Sequence, residues 1–203
     1  AVLVPNLRSL VPKCEFTKCE FTKLKSRSTS SPKLPQRIGV FVMRFLMRQK
    51  IFALGDDFTI KDENANDVYF VDGRALSLGH KLSFQDMQGR ELAFIKQRLL
   101  SWGPTYEIYV NGEVQAVIKK ELFTFFRCKF TVDVPGPNDL EATGDFLDHE
   151  YAFERNDQTV AYVSKQWFSW SDTYGIEVLD PGDAPLVLIS AIVIDLACHE
   201  KKD

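Results

Sequence analysis

A threefold internal repeat constrains this chain more than any other feature. Stacking QGRELAFIKQRLLSWGPTYEIYV (Gln88 to Val110), NGEVQAVIKKELFTFFRCKFTVDV (Asn111 to Val134) and NDQTVAYVSKQWFSWSDTYGIEV (Asn156 to Val178) brings five columns into register. Ala93, Ala116 and Ala161 align, as do Ile95, Ile118 and Val163, and then Leu99, Leu122 and Trp167. Leu100, Phe123 and Phe168 follow, then Ser101, Thr124 and Ser169. Each copy reads as a turn, two strands and a connection. A weaker copy from Asn66 to Phe84 places Ser77 in the Ser101 column. The pairs Asp72-Gly73, Gln88-Gly89, Asn111-Gly112 and Asn156-Asp157 are hairpin signals. The spacer from Pro135 to Glu150 breaks the period, so a closed barrel fits better than an open solenoid.

Alternation divides each repeat into two faces, because successive strand residues point oppositely. Ala93, Ile95 and Leu99, with Ala116, Ile118 and Leu122, form the expected interior. Phe94, Lys96 and Arg98, with Val117, Lys119 and Glu121, form the outer face.

The C-terminal stretch LVLISAIVIDLACHE (Leu186 to Glu200) is apolar around its whole circumference as far as Ile194 and follows the breaker PGDAP. Asp183 is placed to cap a helix near 186–198, and such a helix must be enclosed on every side. Its β-branched residues leave a final strand as the alternative. No uninterrupted apolar run reaches the roughly 18 residues a bilayer span requires, so no transmembrane segment is expected. A barrel of about a dozen strands has more interior than its own side chains fill, and this helix would fill it. Alanines at matched interior positions would give the helix clearance. The fold class expected is therefore mainly β, a closed antiparallel barrel of about twelve strands around a hydrophobic C-terminal helix.

Residues 1–42 read differently, with eight Lys/Arg against two Glu, a tandem CEFTK and a Ser/Pro-rich run; residues 43–203 carry 17 Lys/Arg against 26 Asp/Glu. The first segment is expected to be a disordered basic tail, a transit peptide or upstream sequence, with Met43 as the start of the domain over 43–203. The acidic body argues against a nucleic-acid partner, which would need phosphate neutralisation by Lys and Arg. Cys128 and Cys198 lack CxxC spacing and read as reduced thiols of a cytoplasmic protein.

The matches LMRQKIFALGDDFTIKDENANDVYFVDG (Leu46 to Gly73), GPTYEIY (Gly103 to Tyr109), GDFLDHEY (Gly144 to Tyr151), SKQWFSWSDTYGIEV (Ser164 to Val178) and IVIDLACHE (Ile192 to Glu200) resemble the LURP-one-related family. That family is grouped with the tubby C-terminal-like and phospholipid scramblase proteins. The resemblance implies a twelve-stranded barrel around a hydrophobic helix. It also implies lipid-related functions: tubby domains bind phosphoinositides, and scramblases act on bilayers. Scramblase chemistry is not expected here, since the body has no Cys-rich palmitoylation run.

Lys96, Arg98 and Lys119 are the candidate lipid-binding residues, three cations that could face one way and hold a phosphate through charge-assisted hydrogen bonds. The alternative is an ordinary solvated strand face. Asp145, Asp148, His149 and Glu150 could ligate a hard cation but lack an EF-hand loop, so an exposed turn is preferred and no metal is expected. Asp195 interrupts the apolar helix and must be paired or protonated. No GxSxG, Walker loop or GxGxxG is present, so no catalytic residue, cofactor or enzymatic activity is expected. Trp102, Trp167 and Trp170, with Phe123, Phe125, Phe126 and Phe168, follow the second strands and are expected to pack in the core. If exposed, they would meet a membrane interface or a protein.

The reading is a non-catalytic binding module, cytoplasmic or peripheral at a membrane, that docks phosphoinositide or other lipid headgroups or a protein partner. Its alternatives are a small-molecule enzyme with its site at a barrel mouth and a ligand-free, stress-linked scaffold.

Overall fold

In the computed structural model, residues 42–48, 57–73, 81–124, 127–165 and 173–199 are described, with side chains except at 48, 122–124, 127–128 and 199. The expectations for residues 1–41, Ser77, Phe125, Phe126, Trp167, Phe168, Ser169 and Trp170 lie outside the described residues. So do those for the side chains of Leu122, Phe123, Thr124 and Cys128.

Twelve strands form the wall: β1 Met43–Arg48, β2 Phe58–Asp62, β3 Asp67–Gly73, β4 Lys81–Asp86, β5 Glu91–Gln97 and β6 Thr105–Val110. They continue as β7 Glu113–Thr124, β8 Arg127–Asp133, β9 Leu140–Asp145, β10 Glu150–Arg155, β11 Gln158–Ser164 and β12 Thr173–Val178. A 3-10 turn, Pro181–Asp183, leads into α1, Ala184–His199. From β2 to β12 each strand pairs with its sequence neighbour, and β1 closes the barrel between β12 and β2. All pairings are antiparallel.

The repeat is the hairpin unit: β5–β6, β7–β8 and β11–β12. Its first two columns are interior, with Ala93, Ala116, Ala161, Ile95, Ile118 and Val163 all buried. The third column fails in the first copy. Leu99 is 58% exposed, because β5 ends at Gln97 and the chain has already entered its connecting loop.

Two of the anticipated turns have the backbone their residues permit. Asn111 and Gly112 (φ 52° and 82°), and Asn156 and Asp157 (φ 49° and 61°), lie in the left-handed region that matches strand twist in tight hairpins. Asp72-Gly73 is not a turn; both residues belong to β3. The reversal between β2 and β3 is organised by Asp62, whose Oδ1 accepts from the amides of Asn64 and Asn66, each at 2.9 Å; the connection after Gly73 lies outside the described residues.

Inside the wall, α1 is a helix and not a final strand. Its residues from Ala184 to Leu196 are buried all round, which a single apolar stripe could not explain. Counted from the preceding turn and including Asp183 and Asp195, Pro181–Cys198 is 18 residues long with a mean hydropathy of 1.7. By length and composition it could cross a bilayer. The barrel surrounds it instead, and 78% of that stretch is buried within the protein.

Strand β10 fixes both ends of this helix. At its far end, Arg155 Nη1 and Nη2 donate to Asp183 Oδ2 and Oδ1 at 2.7 and 3.0 Å. Asp183, expected as a helix cap, thus lies buried under a guanidinium, and the cap of the 3-10 turn is Asp180, whose Oδ1 accepts from Gly182 N at 2.9 Å. Just before β10 begins, His149 Nε2 lies 2.8 Å from Asp195 Oδ1. Six strand steps from His149 to Arg155 span about 20 Å, and twelve helical steps from Asp183 to Asp195 span about 18 Å. The two rises match closely enough for one strand to clamp both ends.

Candidate functional site

Three buried titratable groups, His149, Tyr174 and Asp195, form a network at one end of the helix. Asp195 Oδ1 faces His149, its Oδ2 accepts from the Tyr174 hydroxyl at 2.8 Å, and that hydroxyl lies 2.9 Å from Met47 Sδ. The His149 and Tyr174 rings lie 4.4 Å apart. Burial, followed by the Asp195 charge, pushes the Tyr174 hydroxyl well above its ordinary range; burial and Asp195 do the same to Tyr151. His149 and Asp195 are 2% exposed and Tyr174 is 0%, so these groups have no open approach for a substrate. The network satisfies polar groups within the core; Asp195 has the structural partners that its apolar setting demands.

The segment from Gly144 to Tyr151 now has a structural reason. Gly144 has φ 142°, and a Cβ there would lie 2.5 Å from the Glu150 carbonyl oxygen. Phe146 packs edge-on to Phe130 at 5.0 Å and also against Tyr151. Asp145 Oδ1 accepts from the amides of Leu147 and Asp148 at 3.1 Å, and Glu150 Oε1 from Ser164 Oγ and Lys165 N at 2.9 Å. These contacts organise the turn, and His149 points into the barrel, away from the cation site its neighbours suggested.

Lys120 is a contributor that the sequence reading missed. It alternates with Ala116 and Ile118 and therefore points inward. There its Nζ donates to the Ala197 carbonyl at 3.3 Å and lies 3.6 Å from Cys198 Sγ. A cation at this position meets the negative end of the helix and one of its open carbonyls.

The outer face carries the candidate cations. Lys96 on β5, Arg98 just beyond it and Lys119 on β7 are all exposed. Strand spacing and rise put Lys119 about 12 Å from Lys96, across β6. Glu107 on β6 accepts from Arg98 Nη2 and, at 3.2 Å, from Arg98 Nε; it also accepts from the Tyr109 hydroxyl at 2.7 Å. The Tyr109 hydroxyl and Arg98 together hold the Glu107 carboxyl below its ordinary range. Lys119 pairs with Asp133. Arg98 and Lys119 are thus locally neutralised by acids from neighbouring strands. Lys96 makes no ion pair within 4 Å among the described residues; it sits directly across the β4–β5 ladder from Lys81. On its other side Lys96 stands in register with Glu107 on β6, whose carboxylate its charge favours; the contact with Lys81 is repulsive, and a further anion would relieve it.

Beside this pair is a surface cleft of about 410 Å³, lined by Glu91, Phe94, Lys96, Tyr109, Asn111 and Gly112 among others. The Phe94 and Tyr109 rings, 6.4 Å apart, furnish aromatic surface in that lining. Glu91 Oε2 accepts from Ser83 Oγ at 2.6 Å, which ties this carboxylate to β4. Lys81 and Glu107, the two residues that decide the charge around Lys96, were missed because only strand register brings them there.

Fold and surface together define a closed twelve-stranded β-barrel filled by an apolar helix, with its cleft on the outside. The LURP-one-related family model matches residues 43–195, and the chain belongs to that family. It is 32% identical over 162 residues to the uncharacterised protein YxjI of Bacillus subtilis (strain 168), covering 80% of this chain and 98% of that one. An X-ray structure of an Arabidopsis thaliana protein has the same fold, with a TM-score of 0.56 at 14% identity over 77% of this chain and 92% of that one.

Proposed function

We propose that this protein is a non-catalytic docking module that binds phosphate-bearing lipid headgroups on its outer face, centred on Lys96. The observation that carries the reading is Lys96, which lines the aromatic-walled cleft and faces Lys81 across the β4–β5 ladder. A headgroup phosphate beside Lys96 would relieve the repulsion between the two ammonium groups and gain charge-assisted hydrogen bonds. Arg98 and Lys119 widen the cationic surface by exchanging Glu107 and Asp133 for lipid phosphate.

The distribution of reactive groups supports docking over catalysis. The acid, imidazole and phenol that could act together are enclosed within the barrel, whereas the accessible cleft brings lysine, tyrosine, asparagine and a glutamate held by Ser83 to the surface. The phosphoinositide preference suggested by the tubby-like resemblance is the finer form of this proposal. The corresponding location is peripheral, on the cytoplasmic leaflet, whose anionic lipids attract basic patches. The acidic balance of residues 43–203 keeps nucleic acid outside the proposal.

Flotation with phosphatidylcholine vesicles containing phosphatidylserine or phosphoinositide tests this reading. Each lysine near an anionic surface contributes about 1 kcal/mol, so Lys81→Ala/Lys96→Ala should weaken partitioning roughly thirtyfold. Both side chains are on the outer face, so thermal unfolding should change little. Equal flotation of variant and parent would remove these lysines from the site.

A further inference from the structure

The loop joining β5 to β6, residues 98–104, exposes apolar side chains that no contact among the described residues covers. Leu99 is 58% exposed, Leu100 95% and Trp102 106%. Scattered surface leucines are ordinary, but three large apolar side chains within four residues at one hairpin tip form a patch. The loop is nonetheless held in shape. Arg98 N donates to Thr105 O at 2.8 Å, and Lys120 N donates to Pro104 O at 3.1 Å. Ser101 Oγ lies 3.0 and 2.7 Å from the carbonyl oxygens of Arg98 and Gly103. Four loop carbonyl or amide groups are therefore satisfied within the protein, which lowers the cost of moving this loop out of water.

We propose that this hairpin tip inserts into the interfacial layer of an anionic bilayer, with Leu99, Leu100 and Trp102 reaching the acyl boundary. The inference rests on the headgroup-docking reading and adds the element that anchors it. Charge complementarity selects the occupant: Lys96 lies on β5, one of the two strands that carry the tip, and faces Lys81 on the adjoining β4; Lys96 is at most about 13 Å from Leu100 along the chain. A lysine at headgroup level thus places the tip in the shallow zone where interfacial apolar side chains reside. Tryptophan is well suited to that zone because its ring is apolar and its indole N–H stays hydrogen-bonded.

Vesicle flotation and tryptophan emission test the proposal on the full chain. With phosphatidylcholine vesicles containing phosphatidylserine, Leu100→Ser/Trp102→Ser should weaken partitioning roughly tenfold or more for each side chain withdrawn. The emission difference between parent and Trp102→Phe should move to shorter wavelength on adding the same vesicles. Binding of inositol hexakisphosphate, a soluble headgroup mimic, should be unchanged in the serine variant and weakened by Lys96→Ala. Vesicle binding and Trp102 emission that do not respond to the tip changes, with hexakisphosphate binding intact, would overturn insertion and leave the headgroup site standing. Loss of all binding in the parent would instead overturn the docking reading, and insertion with it. A self-associated parent that Trp102→Ser renders monomeric, without vesicle binding, would assign the tip to a second copy of this chain and overturn insertion.

Discussion

Replacing Asp195 by alanine is expected to lower the unfolding free energy by about 3–5 kcal/mol. The Asp195 carboxyl lies within a helix buried on all sides, accepts from the Tyr174 hydroxyl and lies 2.8 Å from His149 Nε2. Its removal takes a hydrogen-bond partner from two groups that water does not reach, and each such loss costs about 1–3 kcal/mol. A fold of this kind has only about 5–15 kcal/mol in total, so the alanine variant stands near the threshold of folding. Asp195→Asn keeps the shape and an acceptor oxygen and should retain more than half of the lost stability. Urea unfolding of the parent and both variants at neutral pH checks the order. A loss below about 1 kcal/mol for alanine would show that the network contributes little.

The second large effect is expected at the opposite end of the helix. Arg155→Met should cost about 3–5 kcal/mol, because it withdraws the guanidinium from a carboxylate that is only 2% exposed. Arg155→Met/Asp183→Leu should recover most of that loss, since replacing both members of a buried pair by apolar groups is often neutral. The recovery distinguishes an ion pair from general damage to β10. If the double variant is as unstable as the sum of the two single ones, the residues do not act as a pair.

Much of this architecture was legible because it depends on period. The alternation of Ala93 and Ile95, repeated at Ala116 and Ile118 and at Ala161 and Val163, marks the interior without any knowledge of neighbouring strands. The apolar circumference of Leu186 to Ile194 likewise demands enclosure. What failed was local. Leu99 belongs to a repeat column but lies beyond its strand, and repeat arithmetic cannot say where a strand stops. Asp72-Gly73 has the composition of a turn, yet both residues pair with β4 as part of β3, because composition cannot say how far a strand runs.

The candidate site was legible only in part, for a topological reason. Alternation alone places Lys96, Arg98 and Lys119 outward, and the structure places them there. Whether each has a partner depends on register: Glu107 reaches Arg98 from β6, Asp133 reaches Lys119 from β8, and Lys81 faces Lys96 from β4. Asp195 announced that it needed a partner, but His149 stands 46 residues away and meets it only after the barrel closes. Trp102, expected in the core with the other aromatics, lies at a loop tip, where its exposure depends on where β5 ends and β6 begins.

The central claim is that the barrel keeps its helix and works through its outer face. Amide hydrogen exchange, followed with and without phosphatidylserine-containing vesicles, tests this most directly, because α1 is itself apolar enough to enter a bilayer. The account predicts that amides of α1 remain among the slowest in the protein in both conditions, while those from Lys81 to Val110 slow on vesicle addition. Faster exchange in α1 when vesicles are added, with no change across β4 to β6, would mean that the barrel opens and surrenders its helix to the membrane, contradicting the account.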